Sequence, residues 1–150
     1  MYDINKLLII ANEFRSAFEE TDLSEAPGFL PGFPEGCCSW ASYMIGNYLK
    51  YELGLNPIEI QAERDAYDGN DPHSWIVVNN IIIDITSDEF DDSNEKVVVS
   101  SNSEWHKGWE VVKEAEIVKI NEYDKIDYGK KLKPTDVYNM LTERVRYKCT

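Results

Sequence analysis

Two β-strand-forming segments flank the pair Asn79-Asn80, and this arrangement constrains the fold more than any other part of the sequence. The first segment, 73–78, reads HSWIVV, and the second, 81–86, reads IIIDIT. Because asparagine tolerates a positive φ, the two-residue link predicts a tight turn and an antiparallel hairpin. Residues 57–63 alternate between apolar and polar side chains and predict a further half-buried strand.

Helical periodicity occupies the segments before these strands. Apolar residues at helical spacing predict an amphipathic helix over 3–20, with Asp3 as its N-cap. The same pattern predicts a second helix over 37–53, which Gly54 ends. Between the two helices, residues 24–36 contain three prolines and three glycines, and this density of helix and strand breakers excludes a regular element.

The rest of the chain predicts shorter elements. We expect a polar turn over 68–72, a short strand over 97–99 and at least one more strand within 109–120. A closing helix is expected over 135–147, with Thr135 as its N-cap. Helices followed by an antiparallel sheet indicate an α+β fold. The length of 150 residues fits one domain, 1–150.

The charge of the chain restricts its partners. A formal net charge of −13 argues against nucleic acid and against anionic membranes, and it favours a basic partner or a well-solvated surface. The first residues do not resemble a signal peptide, and no apolar segment is long enough to span a bilayer. Three cysteines, two of them adjacent, do not suit a disulfide framework. We therefore expect a cytoplasmic protein with no membrane partner.

Cys38, His73 and Asp84 are the residues with the clearest chemical potential. Cys38 is expected in the first turn of the second helix, where unpaired amides stabilise a thiolate and bind an oxyanion. In the register that the turn sets, Trp75 faces Asp84 and His73 faces Thr86, so His73 and Asp84 are diagonal neighbours on one face. The pair would then provide a general base and the carboxylate that orients it.

Each of these residues also has an ordinary structural explanation, and the alternatives stay open here. Taken alone, Cys37 and Cys38 are more typical of core cysteines. A metal site made of Cys37, Cys38 and His73 has no CxxC or HxxxH spacing to support it, so we expect neither a metal nor a cofactor. His106 is the only other histidine and would be the base if the hairpin register were shifted.

The segment 36–42, GCCSWAS, resembles the nucleophile helix of papain-like and transglutaminase-like enzymes, in which G-x-C opens a helix. Residues 73–75, HSW, resemble the H-A-W segment of the transglutaminase-like core, and Asp84 within IIDIT resembles its aspartate strand. The G-x-C-x-x-(A/L)-S form is also similar to YopT-type bacterial cysteine proteases. The resemblance covers about residues 33–90. It implies a papain/transglutaminase-like fold, with the nucleophile helix packed on an antiparallel sheet.

The resemblance also implies a role for each matching residue. Cys38 would be the nucleophile, His73 the general base and acid, and Asp84 its orienting partner, while Gly36 and Trp75 would contact the substrate. The implied activity is thiol-dependent hydrolysis or acyl transfer at peptide or glutamine amide bonds, on a protein or peptide that is basic if charge guides recognition. The alternative is a non-enzymatic acidic interaction protein, of an immunity or inhibitor type, that retains the fold.

Overall fold

The structure is a computed structural model that describes the backbone of residues 2–149 and the side chains of residues 2–146. Within these residues the chain forms an α+β fold of helices and one antiparallel sheet. The α-helices are α1 (Ile4–Glu20), α2 (Cys38–Asn47), α3 (Glu104–Lys107) and α4 (Pro134–Cys149). The strands are β1 (Ile58–Ala66), β2 (Gly69–Val78), β3 (Ile81–Asp84), β4 (Val98–Ser100) and β5 (Glu110–Glu116).

The sheet has the strand order β4-β3-β2-β1-β5, and its neighbouring strands are antiparallel. Alternate residues of each strand point to opposite faces. Ile76, Val78 and Ile83 join the buried residues of α1, α2 and α4 in the main core. Trp75, from the other face of β2, belongs to a second and smaller cluster with Trp109. The α+β prediction with helices preceding an antiparallel sheet is therefore confirmed.

The hairpin has the predicted register. Asn79 and Asn80 have φ angles of 52° and 61°, as a tight turn that matches the twist of the strands requires. Val78 pairs with Ile81 across the turn, and the pairing continues along both strands. This register is the condition on which the predicted proximity of His73 and Asp84 depended.

Several predicted boundaries differ from the structure. The α-helical part of the second helix ends at Asn47, and a π-helical turn over Tyr48–Glu52 continues it as far as Gly54, whose φ is 69°. The predicted polar turn over 68–72 is wrong, because β2 begins at Gly69 and pairs with the far end of β1. Polar side chains at this end of the β1–β2 pair stay largely in solvent, so they do not oppose strand pairing.

The closing helix begins one residue earlier than predicted. Pro134 is its first residue, a position where the missing N–H of proline leaves no helical hydrogen bond unmade. Thr135 is therefore not the N-cap, and its backbone N–H donates to Asp124 Oδ1 at 2.9 Å.

Within the part of the chain that the structure describes, no helix combines the length and apolarity that a membrane crossing requires.

Candidate functional site

The first turn of α2 brings Cys38 to the ring of His73. Cys38 is the first residue of α2, which packs on β2, and the thiol is partly exposed. The Cys38 sulfur, a ring nitrogen of His73 and a carboxylate oxygen of Glu89 all lie within 4.8 Å of one another. Glu89 reaches this position from a 3₁₀ turn, Ser87–Glu89, which follows β3.

Asp84 holds His73 from the opposite side. His73 Nε2 and Asp84 Oδ2 are 2.7 Å apart, and both side chains are almost completely buried. His106 Nε2 lies at the same distance from the same oxygen, and the backbone N–H of Thr86 donates to Oδ1 at 2.9 Å. Burial alone would raise the pKa of Asp84, but the hydrogen bonds from His106 and His73 hold it well below its ordinary value. Asp84 is thus a fully bonded carboxylate.

The hydrogen bonds of His106 fix its tautomer. Ser103 is the N-cap of α3, and its Oγ accepts from the backbone N–H of His106. The same Oγ lies 2.6 Å from His106 Nδ1, to which its hydroxyl proton can be donated. Nε2 then holds the ring proton and donates it to Asp84.

The balance of charges around His73 favours its protonated form. Burial lowers the pKa of His73, but the hydrogen bond to Asp84 and the interaction with the Cys38 sulfur outweigh burial and raise it to about 9. Because Nε2 is used by Asp84, the nitrogen left for Cys38 is Nδ1. Nδ1 is buried and, among the described residues, has no hydrogen-bond partner of normal geometry.

The two adjacent cysteines have different environments. The Cys37 side chain is fully buried, and its thiol donates to the carbonyl oxygens of Phe29 and Glu35 at 3.2 and 3.3 Å. Burial and nearby acidic groups raise the pKa of Cys37 to about 12. Cys37 is a packing residue, whereas Cys38 is available to the site.

Glu89 was not identified from the sequence as a site residue. Its Oε2 is buried and has no hydrogen-bond partner within the described part of the chain. Burial raises the pKa of Glu89 to about 7, although the charge of His73 and the backbone amide of Gly36 act in the opposite direction. Glu89 lies in the run SDEFDD, which looks like an ordinary exposed loop, so no pattern distinguished it.

Aromatic rings enclose His73. The ring centroids of Phe90, Trp109, Trp75 and Trp105 lie 5.0 to 5.6 Å from that of His73. This apolar surrounding strengthens the His73–Asp84 hydrogen bond by excluding water.

The two residues predicted to contact substrate differ in their exposure. Trp75 is only 4% exposed, because it packs against the two histidines and Trp109. Gly36 is exposed and has a φ of 69°, and a Cβ at this position would lie 3.3 Å from the Phe29 side chain. Glycine is therefore required by the backbone here, and substrate contact at both residues stays a prediction.

The space next to Cys38 is small. A void of about 10 Å³ lies between the start of α2 and strands β2 and β3. A surface depression of about 860 Å³ lies between α1 and α4 and contains none of the site residues. Neither of these two spaces is lined by both Cys38 and His73.

No protein-family model matches this chain, and comparison with curated proteins and with solved structures gave no match either. The geometry of the site is thus the basis for any functional conclusion.

Proposed function

We propose that the chain is a thiol-dependent hydrolase or acyltransferase of the papain/transglutaminase type, acting on peptide or glutamine amide bonds. The observation that supports this proposal is that a thiol lies beside an imidazole, which in turn bonds a carboxylate. The Cys38 sulfur lies within 4.8 Å of a His73 ring whose Nε2 bonds Asp84 at 2.7 Å. This is the order of nucleophile, base and orienting carboxylate that acyl transfer through a cysteine requires.

In the proposed reaction, the proton of the Cys38 thiol resides on His73, and the thiolate attacks the carbonyl carbon. Backbone amides in the first turn of α2 stabilise the oxyanion that forms. His73 then gives its proton to the leaving amine as the C–N bond breaks, which leaves a thioester on Cys38. His73 next accepts a proton from water, the hydroxide attacks the thioester, and the C–S bond breaks to release the acid. An amine in place of water gives transamidation.

Charge guides the proposed choice of substrate. With 28 acidic and 15 basic residues, the chain has a negative field that attracts basic peptides and repels nucleic acid. We place this activity in the cytoplasm, where cysteines remain reduced.

Acylation of Cys38 tests the proposal. The protein is mixed with p-nitrophenyl esters of short basic peptides, with and without a primary amine acceptor, and the products are followed by nitrophenolate release and intact-protein mass. We expect a thioester on Cys38 and slower acylation in His73→Ala, by at least ~100-fold. Lys107→Ala, an exposed change, is the control.

If no thioester forms on Cys38, or if it forms equally fast without His73, the enzymatic proposal fails. The acidic interaction protein would then be the better description. Circular dichroism of each variant establishes that the fold is retained.

A further inference from the structure

The site contains more ligating groups than acyl transfer requires. His73 Nδ1 and Glu89 Oε2 are both buried and have no hydrogen-bond partner among the described residues. His73 is 1% exposed, so water does not supply the hydrogen bond that Nδ1 lacks beside the Cys38 sulfur. Buried polar atoms without partners are rare because each is unfavourable by about 1–3 kcal/mol. Two such atoms beside a thiol indicate a missing common partner.

The chemistry of the three groups matches one class of partner. A thiolate, an imidazole and a carboxylate are the ligands that Zn²⁺ takes in proteins. Tetrahedral coordination at the usual bond lengths separates such ligand atoms by about 3.4–3.6 Å. Cys38, His73 and Glu89 present theirs within 4.8 Å of one another, so small side-chain rotations suffice.

The surroundings of His73 also suit a metal ligand. Metal-bound histidines usually donate their other ring N–H to a carboxylate, which fixes the tautomer and the direction of the ring. His73 does this through the 2.7 Å contact between Nε2 and Asp84. His106 and the Thr86 amide hold Asp84 in turn. The bond to Asp84 leaves Nδ1 as the metal-binding atom.

A second group of ligating residues does not meet the same requirement. His73, Asp84 and His106 also lie close together, but both histidines already bond Asp84 Oδ2 at 2.7 Å. These contacts leave no space for an ion between them. The cluster around Cys38 differs also from the site considered in the sequence, since Glu89 takes the place of the buried Cys37.

We propose that Cys38, His73 and Glu89 bind Zn²⁺, with water as the fourth ligand. The proton that Cys38 and His73 Nδ1 share passes to solvent as the S–Zn and N–Zn bonds form, as does the proton of Glu89 where it is protonated, and no group is oxidised or reduced. Because the Cys38 sulfur is bonded to the ion, Zn²⁺ protects Cys38 from electrophiles. The inference that Zn²⁺ also inhibits the enzyme rests on the proposed function, but binding itself does not.

Titration with Co²⁺, a spectroscopic substitute for Zn²⁺, tests the site in the full chain under reducing conditions. We expect one equivalent to produce a thiolate-to-cobalt charge-transfer absorption, which Zn²⁺ then removes by displacement. The absorption should be lost in Cys38→Ser, and Glu89→Gln should weaken binding by at least ~10-fold. Glu35→Gln makes the same change at an exposed residue of the neighbouring loop and should bind as the wild type does.

Protection from iodoacetamide provides a second measurement on the unmodified protein. One equivalent of Zn²⁺ should slow alkylation of Cys38, and a chelator should restore it. The metal proposal is overturned if no charge-transfer absorption appears, if Glu89→Gln binds as tightly as Glu35→Gln, or if Zn²⁺ gives no protection.

The two proposals fail in different ways. A chain that forms the thioester without metal but gives no cobalt absorption retains the proposed function and loses the metal site. A chain that binds Co²⁺ through Cys38 but forms no thioester retains the metal site and loses the proposed function.

Discussion

The two ring nitrogens of His73 face opposite kinds of environment. On the Nε2 side, Asp84 accepts hydrogen bonds from two histidines and a backbone amide, so each of its oxygens is bonded. On the Nδ1 side, the ring nitrogen and an oxygen of Glu89 are buried and, among the residues that the structure describes, have no hydrogen-bond partner; the partly exposed residue Cys38 lies next to them. One side of the ring is a completed polar network, and the other is not.

This difference separates structural from chemical roles. A satisfied buried network stabilises the fold and fixes the orientation of its members. Unsatisfied groups destabilise the fold, and they are expected where a protein binds or transforms something. Variants on the bonded side should therefore change stability most, and variants on the unbonded side should change reactivity with little loss of stability.

The largest change in stability is expected for Asp84→Ala. Removal of the carboxylate leaves two buried histidines and the Thr86 amide without their acceptor, and the expected loss is about 3–5 kcal/mol in the free energy of unfolding. Urea denaturation monitored by tryptophan fluorescence measures it. Asp84→Asn retains acceptor oxygen and should lose less. Equal stability of the wild type and Asp84→Ala would show that the network does not stabilise the fold.

His106→Ala should have the next largest effect. The substitution removes one of the donors to Asp84 and leaves a cavity. The expected loss in the free energy of unfolding is about 1–3 kcal/mol. His106→Gln, which can still donate, should recover part of the loss. Because Nδ1 of His73 is untouched, alkylation of Cys38 should slow less in His106→Ala than in His73→Ala. If His106→Ala slows it more, then His106 and not His73 serves the thiol.

The adjacent cysteines allow a smaller comparison on one helix. Cys37→Ser places a hydroxyl in a fully buried position, and we expect a loss of about 1 kcal/mol. Cys38→Ser, at a partly exposed position, should lose less stability but all thiol reactivity of the site. Thermal unfolding and iodoacetamide labelling measure the two properties. The opposite ranking in stability would contradict the assignment of Cys37 as the packing residue.

Glu89→Gln should change the stability of the fold least, and the sign of the change depends on pH. The folded pKa of Glu89 is raised to about 7, so the folded state binds its proton more tightly than the unfolded state does. The stability from this protonation is present below the ordinary value of 4.5 and is lost as pH rises through about 7. The wild type should therefore lose stability relative to Glu89→Gln across this range. Melting temperatures measured with a chelator present test this, and a difference independent of pH would contradict it.

The sequence was sufficient to predict the contact between His73 and Asp84, but not the contacts of His106 and Glu89. Asn79-Asn80 fixed the hairpin register, and the register placed His73 beside Asp84 because side chains in a strand alternate with a period of two. The breakers before residue 37 predicted that a helix begins at Cys37, and α2 begins one residue later, at Cys38.

The sequence analysis missed Glu89 and treated His106 only as an alternative base, because long-range packing places both residues. His106 lies in the one-turn helix that follows β4 in the chain, and its contact with Asp84 has no local signature beyond the Ser103 cap. Glu89 depends on the path of the chain after β3, where composition indicates only a polar loop. The polar turn predicted over 68–72 failed for a related reason, since pairing with β1 overrides local turn preference there.

The most direct test of the central claim is the pH dependence of alkylation at Cys38. Iodoacetamide labelling with mass mapping, in the presence of a chelator, compares Cys38 with Cys37 in the wild type and in His73→Ala. We expect Cys38 to react much faster than the buried Cys37 at neutral pH, and to react more slowly in His73→Ala than in the wild type. If Cys38 is no faster than Cys37, or keeps its rate in His73→Ala, then the His73–Cys38 contact does not activate the thiol and the proposed chemistry is wrong.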